Sequence, residues 1–162
     1  MIRKGTLNDA AAIAGIFNHY VRTSTVIFSN DQLSADEMRE KLEPVMKGGF
    51  PFFVDVDGDG TVTGYAYAHL YHPNPVYGRT WEITIYLRHG YTGRQIGSRL
   101  LERIINESRD LGAHTLISCI TGGNMPCEKM HLNHGFTVAG TLLEVGYKFG
   151  QYLDDRLYQL ML

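Results

Sequence analysis

The chain has 162 residues, of which 44% are apolar and 20% charged, and its formal net charge is −2. That length supports one well-buried core and is short for two, and the composition is that of a folded protein rather than a disordered one. A near-neutral balance supplies no basic stripe for a nucleic acid, and no apolar run approaches the roughly 20 residues that cross a bilayer.

Two cysteines, Cys119 and Cys127, make no disulfide framework, and "MIRKGTLNDAAAIAGIF" has no signal-like apolar segment with a cleavage site. A reducing cytoplasm is the expected compartment.

"LNDAAAIAGIFNHYV" predicts a first helix, with Asn8 or Asp9 at its cap and Ile13, Ile16, Phe17 and Tyr20 on one face. "LSADEMREKLEPVMKGG" predicts a second, in which Ser34 caps, Glu37 completes a capping box and Gly48-Gly49 stops the helix. "PFFVDV" and "VTGYAYAHLY" read as strands joined through the turn "DGDG", and "TWEITIYLR" alternates as a third. A helix from Ile96 is expected to bury Ile96, Leu100, Leu101, Ile104, Ile105 and Leu111, and to end at Gly112. "HTLISCI" reads as a strand and "NMPCEKMHLNHG" as a helix capped by Asn124; "FTVAGTLLEVGYKFG" and "LDDRLYQLML" read as two closing strands.

The strand–helix–strand unit from Trp81 to Ile120 implies one parallel crossover in an otherwise antiparallel sheet. The fold class is therefore α+β: residues 1–162 as a single α/β/α-layered domain with a mixed, mostly antiparallel central sheet and helices on both faces.

Several tempting patterns carry little chemistry. "DVDGDG" opens like a calcium loop, but the closing bidentate Glu is replaced by Ala66 and strands flank the segment, so a hairpin turn is expected. His69 with His72, and His131 with His134, lack a convergent third ligand, so no metal is expected. Tyr65, Tyr67 and Tyr71 at strand period read as sheet packing. Cys127, near a helix start, has no evident partner base and reads as a plain helix-face thiol. Glu82 differs: a carboxylate amid apolar neighbours on a central strand is a candidate general base, with a structural carboxylate paired to an arginine as the alternative.

Glycines at 90, 93 and 97, with Arg94 between them, lead directly into the helix from Ile96. Such a segment lays bare backbone N–H groups at a helix start, where an anion can sit.

Four segments in order resemble the GNAT acyltransferase superfamily, in particular its phosphinothricin and methionine sulfoximine acetyltransferase branch. They are "IFNHYVRTSTVIF", "YGRTWEITIYLRHGYTGRQIGSRLLERI", "NMPCEKMHLNHGF" and "GYKFGQYLDDRLYQL". The resemblance implies transfer of an acetyl group from acetyl-CoA to the primary amine of a small amino-acid-like molecule, by direct attack and without a metal. It assigns Glu82 as general base and His131 as the acid beside the leaving thiolate. Backbone of Gly93, Arg94, Gln95, Ile96, Gly97 and Ser98 would hold the pyrophosphate. Ile85, Tyr86 and Leu87 would hydrogen-bond the pantetheine arm, one N–H there polarising the thioester carbonyl, with Asn124 also facing the cofactor. A homodimer is implied as well, its interface covering the apolar edge of the C-terminal strands.

Two departures stand out. The superfamily loop reads Arg/Gln-x-x-Gly-x-Gly/Ala, but Thr92 and Gln95 replace its first and fourth residues here. Arginines that the branch often carries before the catalytic strand are His72, Asn74 and Gly78 in "YHPNPVYGR", while Pro75 and Tyr77 match. Phe28, Asn74 and Tyr77 are the expected acceptor contacts. Trp81 should point to the opposite sheet face and pack. Two other functions stay open: acetylation of a different amine (polyamine, aminoglycoside or protein N-terminus), and non-catalytic acyl-CoA binding.

Overall fold

The computed structural model describes residues 1–162. In chain order the elements are β1 (Ile2–Lys4), α1 (Ala10–Thr23), α2 (Ala35–Lys47), β2 (Phe52–Val56), β3 (Val62–Leu70), β4 (Thr80–Leu87), α3 (Ile96–Asp110), β5 (Thr115–Thr121), α4 (Met125–Asn133), β6 (Thr137–Lys148) and β7 (Gln151–Met161). Seven strands form one sheet in the order β1-β2-β3-β4-β5-β7-β6. Only the β4–β5 pair is parallel, as the crossover through α3 requires.

Alternation along β4 sorts its side chains onto two faces. Trp81 and Ile83 are buried with Leu100, Leu101, Ile104, Leu116 and Phe136 beneath α3 and α4. Glu82, Thr84 and Tyr86 therefore face the side where α1 and α2 pack Ile13, Phe17, Met38 and Leu42 against Tyr65 and Tyr67 of β3. Leu100 and Leu101 are fully buried, each contributing roughly 1.5–3 kcal/mol.

Local signals explain most element ends. At α2, the Ser34 hydroxyl accepts from Glu37 N at 3.2 Å and the Glu37 carboxylate accepts from Ser34 N at 2.7 Å. The "DGDG" turn closes on Asp57, whose Oδ1 accepts the amides of Asp59 and Thr61, with Gly60 in the left-handed region at φ 81°. Long-range partners alter other ends. A short turn over Leu7–Asp9 precedes α1, held where the Asp9 carboxylate accepts from Thr6 and pairs with Arg3 at 2.7 Å.

Three expectations need correction. β1 has too few residues to show a period, and only its pairing with Lys4, Arg3 and Ile2 opposite Phe53, Val54 and Asp55 defines it. Leu111 is 51% exposed because α3 ends at Asp110, one residue short of carrying it back to the core face. Asn124 occupies the N-cap of α4, but its side chain bonds no amide of the helix.

Candidate active site

β4 and β5 stay paired only from Thr80↔Thr115 to Glu82↔Ile117. Beyond that point β4 continues with β3 as far as Gly64↔Leu87, while β5 continues with β7 as far as Thr121↔Asp155. The two parallel strands thus diverge, and one edge of residues 83–87 has no strand partner. Glu82 stands at the fork.

The fork opens toward the loop before α3. No backbone N–H of residues 92–98 meets an acceptor in the protein; the first helical bond of this turn runs from Arg99 N to Gln95 O. Unpaired amides at a helix start, aligned with its positive end, form an anion cradle. Gln95 at φ 59° takes the left-handed conformation that a glycine would adopt without strain. Its side chain is exposed and bonds none of these amides. A Cβ at Gly97 would stand 3.0 Å from the Met130 sulfur of α4, a tight contact that this flexible side chain would have to relieve. The Tyr91 hydroxyl donates to Asp57 at 3.1 Å, and the Arg94 guanidinium lies 4.8 Å above the Tyr91 ring, which fixes the arginine beside the cradle.

On the α1–α2 side, a cavity of about 250 Å³ adjoins β4. Phe17, Phe28, Tyr65, Tyr67 and Tyr86 wall it, with Thr84 and Ser29 supplying hydroxyls and Lys41 the one charge. Burial raises the Tyr65, Tyr67 and Tyr86 hydroxyls above their ordinary range, Tyr65 and Tyr86 well above it, and holds them protonated. A second cavity of about 210 Å³ shares Phe28 and Ser29 and reaches Gly146 and Lys148. Lys148 donates to Ser24 O at 2.7 Å and Ile27 O at 2.9 Å, tying β6 to the loop that carries Phe28.

Glu82 pairs with no arginine, and the cation-paired structural role does not describe it. Its neighbour across the fork is Cys119. Burial, the charges of Glu82 and Asp155, and a hydrogen bond to Glu82 push the Cys119 thiol up to about 12. Cys127 is likewise pushed up to about 12, by burial and then by Glu128. Neither thiol ionises near neutral pH.

His131 has no exposed surface. Its Nδ1 donates to Cys127 O at 2.8 Å, its ring meets Phe136 edge-on at 5.0 Å, and Nε2 finds no partner. Burial lowers its pKa to about 4. The imidazole is therefore neutral, its single N–H is already given to a carbonyl, and Nε2 offers a lone pair rather than a proton. In that placement Nε2 carries no proton to donate, which runs against the expected part as an acid.

Glu82 and the Ile85–Leu87 edge thus lie at the fork on β4, the loop through Gly93, Arg94, Gln95, Ile96, Gly97 and Ser98 follows that strand, and Phe28 shares a cavity with Thr84 and Tyr86 on the Glu82 face. Of the loop residues, Ile96 turns its side chain into the core and has only its amide to offer. Asn124, at the start of α4, follows the C-terminal end of β5 at the rim. Asn74 and Tyr77 line neither cavity described above. The Asn74 carboxamide instead accepts from Val76 N at 3.0 Å, and Tyr77 stacks near His72 on the surface. Lys41 and Cys119 have no sequence motif of their own, whereas Lys148 and Asp155 lie in the last of the four resembling segments; strand alternation beside Glu82 is the one signal that could have pointed to Cys119.

A family model described as "Acetyltransferase (GNAT) domain" matches residues 2–157. The chain belongs to the GNAT acetyltransferase family. It is an acetyl-CoA-dependent N-acetyltransferase. It is 34% identical to the L-amino acid N-acyltransferase MnaT of Escherichia coli, over 99% of this chain and 93% of that protein. Identity to the phosphinothricin N-acetyltransferase of Alcaligenes faecalis is 35%, over 94% of this chain and 77% of that one. The GNAT-superfamily phosphinothricin acetyltransferase of Sinorhizobium meliloti, crystallised with AcCoA, superposes with a TM-score of 0.97 at 28% identity, covering all of this chain and 88% of that one.

The residues of this GNAT domain fit the co-substrate. Amides 92–98 and Arg94 suit a pyrophosphate, and the unpartnered β4 edge suits the amide-bearing pantetheine arm, which can pair as a strand would. No group of three or more His, Cys, Asp or Glu side chains is placed to hold a metal ion.

Proposed function

We propose that this GNAT enzyme acetylates the primary amine of a small amino-acid-like molecule, with Glu82 as general base. The observation that supports the reading is Glu82 at the fork, on the face of β4 whose Thr84 and Tyr86 wall the aromatic cavity, on the strand that leads into the unpaired amides 92–98. Acetyl-CoA supplies an activated acyl carbon. An incoming amine is protonated at neutral pH and cannot attack until it loses that proton. Glu82 accepts it, directly or through one water. Backbone N–H groups on the free edge of residues 83–87 stabilise the charge that grows on the thioester oxygen. The thiolate of coenzyme A, an ordinary thiol of pKa about 8.5, leaves as the anion and takes its proton from solvent. No covalent acyl-enzyme is needed, and the two protonated thiols near the site are poor nucleophiles.

Names of the relatives support an amino-acid-like acceptor. Cavity chemistry supports it too: aromatic walls and one lysine suit a small amine with an apolar stem, and Lys41 repels a polyamine or aminoglycoside. A second copy of the chain is proposed to cover β6, the outer strand of the sheet, where Val138, Leu142, Leu143, Val145 and Tyr147 are 49–72% exposed. Free thiols at Cys119 and Cys127 fit a reducing, cytoplasmic setting.

The test is a panel of L-amino acids, polyamines, aminoglycosides and N-terminal peptides, with thiol release from acetyl-CoA as readout. Turnover confined to the amino acids is the expected outcome. Turnover only with polycations or peptides, or no release with any amine despite acetyl-CoA binding, overturns the proposal.

A further inference from the structure

Three arginines, Arg88, Arg94 and Arg99, fall within or beside the loop that precedes α3, and two of them are engaged elsewhere. Arg88 donates from Nε to Val62 O at 2.7 Å and so ties the end of β4 to the start of β3. Arg99 stands 3.9 Å from the buried carboxylate of Asp55. The Ser98 hydroxyl is taken as well, 3.1 Å from Nε2 of His134. Arg94 remains. It is exposed and takes part in none of the ion pairs of the molecule.

The Arg94 guanidinium lies instead over the ring of Tyr91, 4.8 Å from its centre. A stacked guanidinium is held by the ring face while its N–H groups stay available to a further partner. Tyr91 is itself held. Its hydroxyl donates to Oδ2 of Asp57 at 3.1 Å, across 34 positions of the chain, and this bond keeps the hydroxyl protonated, above its ordinary range.

Asp57 opens the "DGDG" turn between β2 and β3. Its Oδ1 accepts the amides of Asp59 and Thr61 at 3.1 and 2.9 Å, so one carboxylate oxygen closes the turn and the other reaches the loop. The pairing Gly64↔Leu87 sets the start of β3 beside the end of β4, which brings turn and loop to the same end of the sheet. The acidic turn that opens like a calcium loop thus has an occupation inside the fold. Asp57 grips Tyr91, and Tyr91 carries Arg94.

We infer that Tyr91, braced by Asp57, is a positioning residue that presents Arg94 to the diphosphate of acetyl-CoA, so that the β2–β3 turn contributes to co-substrate affinity from outside the cradle. An arginine already stacked loses less side-chain freedom when it meets a phosphate than one that is free in solvent. The inference takes amides 92–98 as the seat of the diphosphate and is independent of which amine is acetylated.

The test is a double-mutant cycle on the Kd for acetyl-CoA, measured by titration calorimetry on the whole chain without an amine. Arg94→Ala should weaken binding about tenfold, the loss of one charge-assisted contact. Tyr91→Phe keeps the ring and frees it from Asp57, and should weaken binding about threefold; Tyr91→Leu removes the stacking as well and should weaken it further. In the Arg94→Ala background both Tyr91 changes should alter the Kd by less than about twofold, because the group they position is gone. A residue that only supports the fold would give the same loss in both backgrounds, and that result overturns the inference. Thermal melts without ligand check that each variant is folded. Gln95→Val separates the remaining failures. If it weakens binding while Arg94→Ala does not, the loop is the seat and the inference alone fails; if neither changes the Kd, the seat fails with it.

Discussion

Lys148, the last residue of β6, donates to Ile27 O at 2.9 Å although 121 positions separate them in the chain. Its second bond, to Ser24 O, reaches the C-cap of α1, where a cation also complements the helix dipole. Phe28 follows directly and packs over Gly146, where an added Cβ would stand 3.0 Å from its ring. The C-terminal hairpin therefore shapes a cavity made mostly from the first half of the chain. Replacing Lys148 with Met should cost roughly 2 kcal/mol, the loss of two charge-assisted bonds to buried carbonyls, and lower Tm by about 4–8 °C. In steady-state kinetics the KM for the amine should rise about tenfold, while the KM for acetyl-CoA holds. Equal rises in both KM values would show that Lys148 supports the fold at large and not this loop.

Glu82→Gln keeps the size of the side chain and removes its basicity. At neutral pH kcat should fall at least about tenfold, and part of the loss should return at higher pH as the amine sheds its own proton. A pH–rate profile superimposable on that of the wild type would take Glu82 out of the mechanism.

His131 makes a stability prediction with a definite sign. Its folded-state pKa, about 4, lies below the unfolded value of 6.5. Between those values the unfolded chain binds a proton that the folded one refuses, so stability is full above about pH 6.5 and declines as pH falls toward 4. The group is wholly buried, and the loss across that window is on the order of 3 kcal/mol. His131→Phe should flatten this part of the stability–pH curve in urea melts. The same variant should keep kcat within about tenfold, since removing a true general acid costs roughly 10²–10⁴. A larger fall, with the alkaline limb of the pH–rate profile abolished, would restore the ring to the chemistry.

Gln95 tests how much the loop depends on glycine. The left-handed conformation at φ 59° costs a non-glycine residue roughly 1–2 kcal/mol, an amount offset in part by the lower entropy of its unfolded state. Gln95→Gly should leave Tm within about 3 °C of the wild type and leave the Kd for acetyl-CoA unchanged or tighter. Gln95→Val places a β-branched side chain in the same conformation and should lower Tm while weakening acetyl-CoA binding. Titration calorimetry separates the cases; a Kd that worsens with glycine would show that the Gln95 side chain itself holds the co-substrate.

Much of this architecture is legible in one dimension. Ser34 and Glu37 announce the start of α2, "DGDG" announces its hairpin, and the alternation of "TWEITIYLR" puts Trp81 and Glu82 on opposite faces, because each depends on residues only a few positions apart. The glycines and Arg94 ahead of Ile96 likewise declare an anion cradle, and the order of four motifs declares the family. β1 was not legible, since three residues carry no period and its strand character comes from a partner some fifty positions away.

Side-chain duty at the site was less legible still. His131 matches a motif position, yet the apolar shell of Phe136 and Tyr158 makes it a neutral ring, and motif spacing contains no dielectric. Asn74 and Tyr77 are near the catalytic strand in sequence but outside the cavity, whereas Lys41 and Lys148 are remote in sequence and line it. Local order thus determined which elements form and which loop leaves its amides unpaired at a helix start, because hydrogen bonds and periodicity act over a turn or a strand. Tertiary packing alone decided where β4 and β5 part, which charges lose their water and what the cavity can recognise, because burial and register are set by residues that meet only once the chain has folded.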